Sequence, residues 1–176
     1  GIDAHHGNWS SSGDRFASNV AQIGSGGAFA SFGSYVYFDA FTACVNNKAL
    51  KGGGGCIFWE PEASNIDDEK WKKLKPVMAS QRLINGNEAA FGASLATPGA
   101  SLHVVPNSEM KMMTNGEKIL APAFPKIDIL DFYGAVVRGA FARGATISAI
   151  LFESEAKLFG ASATSADSNG RAFFDE

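Results

Sequence analysis

The run Lys126–Glu155, KIDILDFYGAVVRGAFARGATISAILFESE, is the longest apolar stretch of the chain and reads as the centre of its core. Two periodicities fit it. As a helix starting near Pro125, it places Asp128, Asp131, Ala135 and Arg138 on one face and Ile127, Leu130, Val137 and Phe141 on the other. As strands, residues 132–141 and 145–152 pair through a tight Ala142-Arg143-Gly144 turn. Gly134, Gly139 and Gly144 decide for strands, since each costs a helix roughly 1 kcal/mol relative to Ala. Thr146–Phe152 is also rich in strand-forming residues. A helical turn over 126–131 leads into the pair. Asp128, Asp131, Arg138 and Arg143 exclude a membrane span, because each charge at the bilayer centre costs roughly 2.5–3.5 kcal/mol.

Working outward, Phe32, Val36 and Phe38 alternate with Tyr35 and Tyr37, a strand pattern. A loop over Asn46–Gly55 follows, and Cys56–Glu60 reads as the returning strand of a hairpin spanning 28–60. Ser64 and Asp67 are spaced as a capping box. They open a helix over 65–84 that Pro76 kinks and Asn85-Gly86 ends. Leu102–Val105 reads as a short strand. Asn115-Gly116 suits a type I′ turn in a hairpin over 108–121. Residues 1–27 are mostly turn formers and read as an irregular N-terminal arm. Residues 161–176 read as a flexible tail, which leaves 28–160 as a single globular domain. No internal repeat is evident. The expected fold is α+β or mainly β, with antiparallel hairpins forming a sheet and one kinked helix packed on it.

At 176 residues the chain suits one domain with a sizeable core. Its net charge of −3 gives no basic patch to follow phosphates, so nucleic acid is not an expected partner. Charged residues make up only 19% and there are 14 Phe, which suits either a β-rich protein that hides surface against copies of itself or a monomer with loose Gly/Ser loops. Gly1, in place of an initiator Met, reads as a processed end or as an artificial start of the chain. Cys44 and Cys56 admit two readings, a disulfide across the hairpin loop or two buried thiols.

Asp3, His5 and His6 form the one cluster of metal-ligand type, suited to zinc. The six residues Asp3-Ala4-His5-His6-Gly7-Asn8 resemble a segment of the zinc-dependent histone deacetylases. That resemblance implies a metal-dependent hydrolase with Asp3 and His5 as ligands. Arg138-Gly139, Gly144 and Leu158–Ala161 resemble the late part of class III nucleotidyl cyclase domains, with Asp39 as a counterpart of a metal-binding Asp. Asp39, Glu60, Glu62, Glu153 and Glu155 fall near expected strand ends, where a carboxylate pair would suit glycoside hydrolysis. Met110, Met112 and Met113 offer an adaptable surface. No nucleophile elbow, phosphate loop or dinucleotide fingerprint is present. The leading expectation is therefore a structural, self-assembling subunit of a virion, tail or surface filament, without a cofactor and with copies of itself as partners. An extracellular or particle-associated location goes with it. Zinc belongs to the hydrolase alternative.

Overall fold

In the computed structural model, which describes residues 1–61, 72–105, 126–139, 142, 145–148 and 163–173, Phe29–Phe32 lies beside Ile57–Glu60. The two strands run parallel, with Phe29 opposite Ile57 and Phe32 opposite Glu60. Parallel strands need a long crossover. Here the crossover is the rest of a coil, and the chain winds into a β-solenoid.

The first coil holds β1 (Ile2–His5), β2 (Asn8–Ser11), β3 (Arg15–Ala17) and β4 (Val20–Ala21). The second holds β5 (Phe29–Phe32), β6 (Tyr35–Phe38), β7 (Ala43–Val45) and β8 (Lys48–Gly53). The third starts with β9 (Ile57–Glu60) and continues through β10 (Val77–Met78), a 3₁₀ turn at Gln81–Leu83, β11 (Ile84–Asn85) and β12 (Glu88–Phe91). β13 (Leu95–Ala96) begins a further turn. Equivalent strands stack into four parallel sheets, ordered β1-β5-β9-β13, β10-β6-β2, β11-β7-β3 and β12-β8-β4.

Alternation along each strand sends one set of side chains into the lumen. Phe29, Val36, Phe38, Cys44, Cys56, Ile57 and Trp59 are buried there as one cluster. Each large apolar member contributes roughly 1.5–3 kcal/mol by leaving water. Cys44 and Cys56 form a disulfide across this lumen, with Cα atoms 5.9 Å apart.

The turn between the third and fourth strands of each coil is held by stacked asparagines. Asn47 Oδ1 accepts from the backbone N–H and the side-chain amide of Asn19, both at 2.9 Å. Asn47 in turn donates its backbone N–H and its amide to Asn87 Oδ1, at 2.9 and 3.1 Å. Its amide also reaches Phe16 O, and Asn87 Nδ2 donates to Cys44 O. The residues just before these asparagines, Ser18, Asn46 and Gly86, all have positive φ. That conformation turns the backbone so that the next side chain points inward, and Asn and Gly adopt it most readily. A second stack, Gly26, Gly54 and Gly92, also has positive φ, and at each a Cβ would strike the carbonyl oxygen three residues ahead.

The remaining strands are β14 (Ser101–Val105), β15 (Lys126–Leu130), β16 (Thr146–Ser148), β17 (Ala163–Ser165) and β18 (Arg171–Phe173). They pair antiparallel, as β14-β15-β18 and β16-β17. Their apolar residues make a second core with the coils: Phe58, Phe91 and Ala96 pack with Ile129, Val137, Ile147 and Ala172. Phe58 lies between the inward-facing Ile57 and Trp59, so this layer covers the outer face of the first sheet. Asp128, 6% exposed, is held across it by Arg171 Nε and Nη2 at 2.6 and 2.9 Å.

The protein is mainly β, as expected, but most of its sheets are parallel. The expected hairpin over 28–60 is instead the second coil and the start of the third. Asn46–Gly55 is no loop: Lys48–Gly53 is a strand, and its glycines allow close approach, since a Cβ on Gly53 would meet the Phe91 ring and Ala96. The helix over 65–84 is corrected within the described residues to one turn at 72–74, which Pro76 ends; Val77 and Met78 then join the sheet of β6. Residues 126–131, read as a helical turn, contain strand β15, and 132–139 hold turns rather than a strand. Within 145–152, Thr146–Ser148 is a strand, but it pairs with Ala163–Ser165. The chain does repeat: Ile2, Phe29, Ile57 and Leu95 share one stack. The expected arm over 1–27 contains the first coil, and the expected tail contributes β17 and β18. The hairpin over 108–121 lies outside the described residues.

Asn47→Ala leaves the donors of Asn19 and the carbonyl of Phe16 without partners, and each orphaned buried group costs about 1–3 kcal/mol. Urea unfolding is expected to show a loss of about 3 kcal/mol or more, against less than about 1 kcal/mol for Lys48→Ala, which breaks an exposed ion pair with Glu88. Equal, small losses at both positions would contradict the ladder's structural weight.

Candidate functional site

All four parallel sheets end on the first coil, where β1, β2, β3 and β4 are each the last strand of their sheet. Ile2 and His6 donate their backbone N–H groups to Ala28 O and Phe32 O in the second coil. Gly7 and Ser11 present their carbonyls the same way, to Tyr35 N and Asp39 N. Successive residues of a strand point these groups to opposite sides. The backbone groups of Asp3, His5, Asn8 and Ser10 therefore face away from the second coil, and no described strand pairs with them. The inward residues Ile2, Ala4, Trp9 and Phe16 are only half-buried. Trp9 packs on Phe29 at 5.4 Å between ring centroids, and Phe16 stacks on Phe38 at 5.2 Å. Trp9 Nε1 is buried and has no hydrogen-bond partner among the described residues, an uncommon and costly state for an indole.

The opposite end of the lumen is closed. Phe132 and Tyr133 pack on Trp59 at 5.6 and 6.4 Å, and Trp59 Nε1 donates to Tyr133 Oη at 3.0 Å. Asp131 holds that loop, accepting the N–H groups of Tyr133 and Ala135 at Oδ1. Thr97 Oγ1 accepts from Phe132 N, and the Lys75 ammonium lies over both rings. Burial pushes the Tyr133 hydroxyl up to about 12, against the hydrogen bond from Trp59. It also raises the Asp131 carboxyl, whose Oδ2 has no hydrogen-bond partner among the described residues.

The candidate ligands sit at the open end. Asp3 and His5 alternate on β1, so both point outward, with His5 Nε2 3.6 Å from Asp3 Oδ1 and both side chains exposed. His5 also stacks on Phe32 at 4.9 Å. His6 has φ 48° just beyond the strand, its ring 6.4 Å from that of His5. Zinc sites draw three or four protein ligands. Among the described residues no group of three His, Cys, Asp or Glu gathers to hold a metal, and Asp3 and His5 are the pair such a site could use.

Asp39 is committed to a turn. Its Oδ1 accepts from the N–H groups of Gly13, Phe41 and Thr42 and from Thr42 Oγ1, and its Oδ2 accepts from Ser12 Oγ. It thereby ties the first coil to the second. The Ser12 hydroxyl, then Thr42 and the backbone of Gly13 and Phe41, hold this carboxyl far below its ordinary value, against some desolvation. Glu60 lies opposite Phe32, and burial raises its carboxyl. Glu62, Glu153, Glu155, the three methionines, Gly144 and Leu158–Ala161 lie outside the described residues. Arg138 is exposed and belongs to no strand. The sequence reading missed Trp9 and Phe16, because residues 1–27 carry so many turn formers that their alternation in β2 and β3 is short. The signal that recovers it is the recurrence of Ser18-Asn19, Asn46-Asn47 and Gly86-Asn87.

No family model matches the chain, and no curated protein or solved structure matches it.

A carboxyl depressed in the folded state stabilises above its unfolded value, here near 3.8, and that stability is lost as pH falls below it. Melting of the wild-type protein from about pH 5 down to about pH 2 should therefore fall more steeply than that of Asp39→Asn. Parallel profiles would show that Asp39 does not bind the first two coils together.

Proposed function

We propose that this protein is a structural, self-assembling subunit, a solenoid whose first coil is an association surface. One observation carries the reading: four parallel ladders end together on strand edges that no described strand pairs with, over a half-exposed lumen. Unpaired edges of this kind template pairing with another chain. The lumen residues there, Ile2, Trp9 and Phe16, are as apolar as those buried between coils, so another coil would bury them in the same way. The Cys44–Cys56 disulfide supports an oxidising setting, outside the cell or on a particle. Asp3 and His5 then serve as rim residues of the association surface.

Light scattering is expected to give a mass above the 18.5 kDa of one chain, rising with concentration. Ser10→Pro should lower the association by tenfold or more while circular dichroism stays unchanged. Its N–H faces away from the second coil, where proline removes no internal ladder bond. A wild-type protein that stays at 18.5 kDa at every concentration would contradict the reading.

A further inference from the structure

Residues 131–135 form a turn that closes on its first member. Asp131 donates its backbone N–H to Ala135 O at 2.9 Å and accepts Gly134 N–H at its own carbonyl at 3.0 Å. Its carboxyl accepts the N–H groups of Tyr133 and Ala135 at Oδ1. Gly134 takes the positive φ that such a tight turn needs. One side chain thus fixes the backbone that presses Phe132 and Tyr133 onto Trp59. We infer that Asp131 is the latch of a pH-sensitive plug, holding both rings on Trp59 while its carboxyl is neutral and loosening them when it ionises. The latch lies at the third coil and is independent of the association surface.

Asp131 is 2% exposed, and its Oδ2 is buried with no hydrogen-bond partner among the described residues. An ionised carboxyl divides its charge between two oxygens, so part of that charge falls on an atom that neither a donor nor bulk water reaches. A neutral carboxyl costs far less to bury there. The N–H bonds at Oδ1 favour the ion, but burial outweighs them and raises the carboxyl above its ordinary 3.8. The neighbouring described groups bring no counter-charge. Tyr133, on the turn itself, stays neutral up to about 12, and Lys75 of the third coil lies over the Phe132 and Tyr133 rings instead. Glu60, next to Trp59 on β9, alternates to the opposite face. Asp128, earlier on β15, is tied to Arg171. The seated plug therefore binds a proton more tightly than the released one. Its stability is highest in acid and falls as pH rises from about 3.8 through the raised value, opposite in sign to Asp39.

The Trp59 indole N–H, which bonds Tyr133 Oη, reports the seating of the plug. Its hydrogen exchange is followed by NMR from about pH 4 to about pH 7, with each rate divided by that of a free indole at the same pH. Protection in the wild-type protein should fall several-fold across this range. In Asp131→Asn, which keeps an Oδ1 acceptor and never ionises, protection should stay level. A wild-type profile without a fall would overturn the inference. So would an equal fall in Asp131→Asn, which would assign the effect to another carboxyl such as Glu60. Titration of the Asp131 carboxyl carbon in the wild-type protein needs no variant to fold. Its midpoint should lie above 3.8, and a midpoint at or below that value would remove the latch.

Discussion

The side chain of Asn47 is the point on which this fold turns. Its Oδ1 receives two hydrogen bonds from Asn19 below, its amide gives one to Asn87 above and its backbone N–H a second, while its own backbone position depends on the left-handed residue before it. A parallel stack has no hairpin turns to fix its register. Register must instead be carried from coil to coil, and a buried amide with both a donor and an acceptor does this, because a slip of one residue leaves its polar atoms unpaired in the lumen. The ring stacks and the glycine column then fall into line above and below it.

With register set, the outermost coils of the described stack differ from one another. At the third coil, Asp131 shapes a turn that inserts Phe132 and Tyr133 against Trp59, so aromatic area covers aromatic area and the indole N–H finds an acceptor. At the first coil, Trp9 has the same chemistry and no such partner among the described residues. The two indoles thus differ: that of Trp59 is covered by aromatic rings and hydrogen-bonded, whereas Trp9 is half-buried and its Nε1 has no partner among the described residues. The antiparallel strands after residue 100 serve another purpose. They cover the outer face of one sheet, where Phe58 and Ala96 would otherwise meet water.

Much of this was legible in the residues, and what was not has identifiable causes. The alternation of Phe32, Val36 and Phe38 with two tyrosines shows strand whatever the topology, which is why β content could be read. Parallel or antiparallel pairing leaves the same period of two, so the Gly-rich segment between Cys44 and Cys56 passed for a hairpin loop. The repeat was masked by unequal spacing: Asn19 and Asn47 are 28 residues apart, whereas Asn47 and Asn87 are 40 apart, the extra length falling in the third coil. Gly86, read as a helix end, is the third member of the column of left-handed residues. The Asp3–His5 contact was visible as a motif, but its place on the rim of an open coil depends on pairing 27 residues away.

Hydrogen exchange of individual amides, measured at low and high protein concentration, tests the central claim most directly. The account predicts that Asn47 N–H, bonded to Asn87, is protected at both concentrations. It predicts that the amides of Asp3, His5, Asn8 and Ser10 exchange freely when dilute and become protected by tenfold or more when concentrated. Protection of those four amides that is already full in the dilute monomer, or that never appears, would contradict it.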